Sequence, residues 1–170
     1  MSGPYDVTAS TTDLTREKWL EIRRQGIGGS DVAAVLNLSD WNSPMSIYLD
    51  KIGELKEKSQ SEYAYWGNVL EDVVARKFMK RTGLKVRRKN EMLQSKLHPF
   101  MMANIDREVI GRKEGLECKT ASEYKRSEWK GDNVPTQYIL QCQHYMVVTR
   151  FEKMVHHCTN WWQHHCVQND

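Results

Sequence analysis

No CxxC pair occurs among the four cysteines, Cys118, Cys142, Cys158 and Cys166. Nor does the opening MSGPYDVTASTTD hold the basic and apolar regions of a secretory signal. A disulfide framework is therefore set aside, and reduced thiols in a cytoplasmic protein are expected. Apolar runs of transmembrane length are missing, so no membrane partner is expected. Internal repeats are absent too, which excludes solenoid architectures. A strong excess of one charge is also lacking: 25 Lys and Arg stand against 22 Asp and Glu, a net +3, which suits a nucleic-acid partner without demanding one. What is there, 39% hydrophobic and 28% charged residues over 170 positions, is globular and long enough for one cored domain, not two.

Organisation follows from capping and periodicity. Residues 1–14 read as a polar, flexible arm. Thr15 caps a helix through LTREKWLEIRRQG, which stops at Gly26. GIGGSDVAAVLNLS gives a glycine loop and a helix capped by Ser30 or Asp31. SPMSIYLDKIGE repeats the scheme, with Ser43 as cap, Pro44 at the first position and Gly53 at the stop. KEKSQSE is a charged connection. YAYWGNVLEDVVARKFMKRTG then reads as a long amphipathic helix ended by Gly83, with Val69, Val73, Phe78 and Met79 available to the core. From Leu84 the period changes to that of strands: LKVRRKNEML, FMMANIDREVI and GLECKTA, the last two joined by a GRKEG turn. PTQYILQCQHYMVVT returns to helix, opened by Pro135. Helices, a strand meander and a helix predict an α/β domain with a sheet flanked by helices.

Chemistry concentrates in the meander. On a strand, Glu117 and Lys119 share one face and Cys118 points to the other. The hairpin carries Asp106, eleven residues earlier, to the side of Glu117. Two such carboxylates repel unless a cation lies between them, and a hard divalent ion such as Mg²⁺ takes oxygen ligands: the two acids and the Cys118 carbonyl. Lys119 would orient a metal-bound water or stabilise phosphate charge. The same spacing also fits a surface hairpin with cross-strand ion pairs, so spacing alone leaves both readings open. His98 and His144 read as structural.

Five stretches in order, WLEIRRQGIGGSDVAAVLNLS, WGNVLEDVVARKF, HPFMMANID, GLECKTA and PTQYILQCQHYMVVTR, resemble the phage lambda exonuclease and YqaJ-type viral recombinase family of the PD-(D/E)xK nuclease superfamily. They cover roughly residues 15–150. The resemblance implies a restriction-endonuclease-like core with a central mixed sheet, and a metal-dependent exodeoxyribonuclease of phage recombination in a bacterial or phage-infected cell. Carried over residue by residue, it implies metal binding by Asp106, Glu117, the Cys118 carbonyl and Glu71, with one or two Mg²⁺ or Mn²⁺ ions. Lys119 matches the catalytic lysine and Gln141 the glutamine beside it; Tyr138 lies one turn before Gln141. Arg23 and Ser30 match the residues that hold a terminal 5′-phosphate, with Arg24 one position on and Asn104 as a further polar contact. Ile105 departs from the superfamily's commoner proline. Implied partners are duplex DNA ends with a 5′-phosphate, a single-strand annealing protein and further copies in a homotrimer. Rival readings are an inactive nuclease-fold protein that binds DNA ends, and a DNA-repair nuclease of the same superfamily. Cysteine spacing disfavours an iron–sulfur variant.

The nuclease domain is expected over 15–153. The remainder, 154–170, departs from the resemblance, which leads one to expect an apolar strand followed by Gly-Gly. Two HHC triplets raise a zinc reading, although adjacent ligands are not zinc spacing. Back-translating from Met154 and reading from the second base of each codon permits KWYITALIGGNTTVYKM, an alternating apolar segment with the missing Gly-Gly. A one-base slip near Lys153 accounts for both observations, and predicts a final strand that is altered or missing.

Overall fold

The computed structural model describes residues 3–55, 61–121, 123–129, 133–159 and 164–168. In chain order the elements are β1 (Tyr5–Ser10), α1 (Arg16–Arg23), β2 (Ile27–Gly28), a 3-10 turn (Gly29–Asp31), α2 (Val32–Val35), α3 (Pro44–Lys51), α4 (Glu62–Thr82), β3 (Val86–Arg88), β4 (Glu91–Ser95), β5 (Met101–Ala103), β6 (Arg107–Val109), β7 (Glu114–Thr120), a 3-10 segment (Glu123–Trp129), α5 (Thr136–Thr149), β8 (Lys153–Thr159) and β9 (His164–Gln168).

Helix ends fall where side chains satisfy orphan amides. Thr15 accepts from Lys18 N–H at 3.3 Å, and Ser43 and Ser46 cap each other around Pro44. Ser61 opens α4, and Gly83, at φ 72°, closes it in the left-handed region that glycine tolerates. Helix α1 stops at Arg23 rather than at Gly26. Residues 56–60 of the KEKSQSE connection lie outside the described residues.

The strands form two sheets, ordered β1-β4-β5-β2 and β3-β6-β7-β8-β9. Both are mixed: β2 pairs parallel with β5 and β7 parallel with β8, the other pairs being antiparallel. The α/β expectation holds, with two departures. Each of the first two expected strands is split, because the chain changes sheet at Lys89–Asn90 and again at Asn104–Asp106. Residues 5–10, expected in a flexible arm, instead form β1 against β4.

Helix α5 lies between the sheets. Its Cys142, Tyr145 and Val148 pack with Leu93 and Ala103 of the first sheet and Met154 of the second. On the other face of the second sheet, Ala75 and Phe78 of α4 pack with Leu116 and Val155. The core side of α4 thus includes Val74, Ala75 and Phe78, whereas Val69 and Val73, expected inside, are 47% and 45% exposed. Their stripe is about one residue's turn away from the sheet.

Where the sequence predicts an altered or missing final strand, the structure has two strands, β8 and β9. Met154, Val155, His156, His157 and Cys158 are all buried in β8, paired along the whole of β7. A strand buried on both faces ordinarily reads as a continuous apolar run. Here burial lowers the His156 pKa, and pushes that of His157 down to about 4.

Candidate active site

Register fixes the site. Leu116 and Cys118 face α4, while Glu117 meets Gln141 and Lys119 meets Tyr138, both on α5. The expected alternation along β7 is therefore realised. Strand β6 pairs with β7 only as far as Arg107↔Leu116, because the chain leaves for the other sheet at Asp106. Among the described residues no strand pairs with that edge of β7 beyond Leu116, and Asp106 Oδ2 accepts from Cys118 N–H at 2.8 Å. Within a strand, N–H and C=O of one residue point to the same edge, so the Cys118 carbonyl faces the same opening.

Glu117 is buried. Its Oε1 accepts from Gln141 Nε2 at 2.7 Å and lies 2.7 Å from Lys119 Nζ. Its Oε2 is buried without a hydrogen-bond partner among the described residues. Burial and then the neighbouring Glu117 raise the Asp106 pKa well above the usual carboxylate range. Burial works against the Lys119 ammonium, but Glu117 and Asp106 more than offset it and raise that pKa. Two acids thus share one lysine, with an oxygen left over, and this donor set suits a hard divalent cation. Among the described residues, no three His, Cys, Asp or Glu side chains form a ready-made metal cage. Glu71 of α4 is instead turned to Arg107, which also reaches Asp72 at 2.6 Å.

A cavity of about 140 Å³ opens beside these acids, lined by Arg23, Ser30 and Asn104 together with Asp106, Glu117 and Gln141. The Gly-Gly sequence explains how the loop approaches: a Cβ on Gly29 would lie 2.6 Å from the Tyr145 ring of α5. The fold therefore brings Arg23, Ser30 and Asn104 to the cavity that Asp106, Glu117 and Gln141 also line. Arg24 lies outside that lining, 3.8 Å from Asp50. The Tyr138 ring centre is 5.2 Å from Lys119 Nζ and stacks on buried Trp129.

Residues 18–152 match the YqaJ-like viral recombinase domain. The chain belongs to that family. Over 144 residues it is 46% identical to the Bacillus subtilis (strain 168) protein described as "Uncharacterized protein YqaJ". The match takes 84% of this chain and 45% of that one, so the chain spans about half the length of this curated relative. Among solved structures, an alkaline exonuclease (LHK-Exo) from Laribacter hongkongensis superposes with a TM-score of 0.73 at 18% identity, covering 91% of this chain and 82% of the other. LHK-Exo in complex with dAMP gives 0.74 at 19%, covering 91% and 83%. At these identities the likeness speaks for the fold alone.

The YqaJ-like match ends at residue 152, one residue before β8 begins. In β8 the first HHC triplet does not converge: His156 contacts Cys142 on α5, whereas His157 meets Phe78 on α4. Side chains of the second triplet lie outside the described residues. Three side chains not singled out in the sequence, Arg107, Trp129 and Tyr145, belong to the site or its support, as does Asp31, named there only as a candidate cap. Tyr145 had a signal, since it is four residues after Gln141 and accepts its amide at 2.9 Å. Nothing local in the sequence marks Trp129.

Proposed function

We propose that this chain is a metal-dependent exodeoxyribonuclease acting on linear double-stranded DNA ends in phage-type recombination. The observation that carries the reading is the buried Glu117 Oε2, without a hydrogen-bond partner among the described residues, beside Asp106 and Lys119 and next to a cavity that Arg23, Ser30 and Glu117 line. Asp106, Glu117 and the Cys118 carbonyl would hold one or two Mg²⁺ or Mn²⁺ ions, with Glu71 joining once released from Arg107. A bound ion of this kind neutralises phosphate charge and lowers the pKa of bound water. Lys119 supplies a fixed positive charge beside the scissile phosphate, and its contact with Tyr138 restrains the side chain. Gln141 holds the Glu117 carboxylate in place.

Arg23, Ser30 and Asn104 bind the terminal 5′-phosphate, with Arg24 further out on the DNA backbone. An anchor for that end favours 5′-to-3′ digestion and a strand product that an annealing protein would coat. The working form is a homotrimer in the cytoplasm of a bacterial or phage-infected cell; no helix among the described residues is long and apolar enough to cross a membrane. The test is digestion of 5′-phosphorylated linear duplex with Mg²⁺, beside a covalently closed circle. Loss of the linear DNA alone, prevented by EDTA, is expected. Equal loss of the circle would remove the end-dependent reading.

A second reading rests on β8. A one-base slip near Lys153 is supported by the end of the family match at residue 152 and by two desolvated histidines in the buried run 154–158. On that reading the chain binds DNA ends with impaired hydrolysis, and the HHC triplets hold no zinc. The nucleotide sequence decides the slip, since codons that cannot encode the alternating strand would exclude it. Elemental analysis of the purified protein checks the zinc.

A further inference from the structure

Beneath the glycine loop lies a buried carboxylate. Asp31 is 1% exposed. Its Oδ1 pairs with Arg23 Nη2, while Oδ2 accepts from Gly28 N–H at 3.0 Å and from Lys51 Nζ at 2.7 Å. The Lys51 ammonium also donates to the Arg23 carbonyl at 3.1 Å. On its other side Arg23 Nη1 donates to Asp50 at 3.0 Å, and Nη2 lies 3.5 Å from Ser30 Oγ. Three elements thus converge on one guanidinium: α1, whose own Trp19 ring centre lies 5.7 Å away, the 3-10 turn with Ser30 and Asp31, and α3 with Asp50.

Two physical consequences follow. A guanidinium has five donors in a rigid plane, and Asp31, Asp50 and Ser30 engage both terminal nitrogens, so the fork is fixed in the cavity wall while donors remain for an anion. A buried carboxylate without cations would be strongly unfavourable, and Lys51 supplies the second positive charge that lets Asp31 hold Arg23 without cancelling it. Arg23, Arg24 and Lys51 against Asp31 and Asp50 leave one positive charge, so the cluster still attracts an anion. Otherwise a long arginine side chain would lose rotamer freedom on binding.

We propose that Asp31, neutralised by Lys51, is a positioning residue that presets Arg23 and the Ser30 loop for a terminal phosphate, making the site selective for 5′-phosphorylated over 5′-hydroxyl ends. The inference rests on reading the cavity as the 5′-phosphate site. Binding is measured in EDTA by fluorescence anisotropy, with labelled hairpin duplexes bearing either a 5′-phosphate or a 5′-hydroxyl, for wild type, Asp31→Asn and Lys51→Met. Wild type should favour the phosphorylated end, and both variants should lose roughly tenfold of that preference, with affinity for the hydroxyl end moving much less. Should Asp31→Asn fail to fold, Lys51→Met decides, because Lys51 lies nearer the surface. Preference retained in the variants, an equal loss for both ends, or no preference in wild type would each overturn the inference. A wild type that selects the phosphate yet digests nothing with Mg²⁺ would overturn the nuclease reading and leave this one standing.

Discussion

Two groups of carboxylates lie close to one cavity and are held in opposite ways. Around Asp31 every oxygen has a cation or an amide, and the charges balance to within one unit. Around Asp106 and Glu117 the one paired lysine, Lys119, contacts Glu117, and the buried Glu117 Oε2 has no hydrogen-bond partner among the described residues. The difference separates a carboxylate that holds another residue from carboxylates which, on the proposed function, would hold a metal ion. Burial alone does not make that distinction; satisfaction of the lone pairs does.

The largest test removes the cation between the acids. Lys119→Ala should lower the rate of linear-duplex digestion by about 10³-fold, read from initial rates with Mg²⁺. Near-normal digestion would reduce Lys119 to an ion-pair partner and break the contrast. The second test applies one substitution to both groups. Asp31→Asn should cost about 3 kcal/mol in urea unfolding, because it breaks a buried, paired charge. Asp106→Asn, measured in EDTA at pH 8, should raise stability, because it relieves a repelled carboxylate. The sign follows from linkage: the fold binds the Asp106 proton more tightly than the unfolded chain does, so its destabilising contribution grows as pH rises from about 3.9 through the raised value. Equal losses at the two sites would erase the distinction.

Strand β8 provides a third case, burial of histidine. The His157 pKa of about 4 lies below the unfolded value near 6.5, so the unfolded chain takes up the proton first. Stability should fall as pH drops from about 6.5 to about 4, and His157→Leu should flatten that slope and raise Tm by about 5 °C. A slope unaltered by the substitution would assign acid lability elsewhere. The smallest effect is expected at Ser30, whose contact with Arg23 is long at 3.5 Å. Ser30→Ala should reduce preference for a 5′-phosphate by about threefold, against roughly tenfold for Asp31→Asn. A larger loss at Ser30 would make the hydroxyl, rather than the positioned fork, the main determinant.

The parts of this architecture legible in the sequence are those set by local rules. Period-two alternation put Glu117 and Lys119 on one face, and the caps at Thr15, Ser43 and Gly83 marked helix ends. Tertiary choices were not legible. The break of FMMANIDREVI into β5 and β6 depends on which sheet each half joins, and the apolar pattern runs unbroken through it. Strand β1 is polar and largely exposed, so its only signal is its pairing with β4. Val69 and Val73 fit an amphipathic stripe as well as Val74 and Ala75 do; contact with β7 decides between them. Family resemblance, not spacing, singled out Glu71, and its capture by Arg107 needed the fold.

The crossover at Asn104–Asp106 has a geometric meaning of its own. The loop with Ser30 hangs on the sheet that contains β2 and β5, whereas Glu117 and Lys119 belong to the sheet that contains β7. Three residues join the two. On the proposed function they would set the distance between the point where a strand end is gripped and the point where it is cut. One residue added there would lengthen the span by up to about 3.3 Å. In a working nuclease, the size of the fragment released at each cut would then be written in the length of this span, and a two-residue insertion should lengthen the product instead of stopping the reaction.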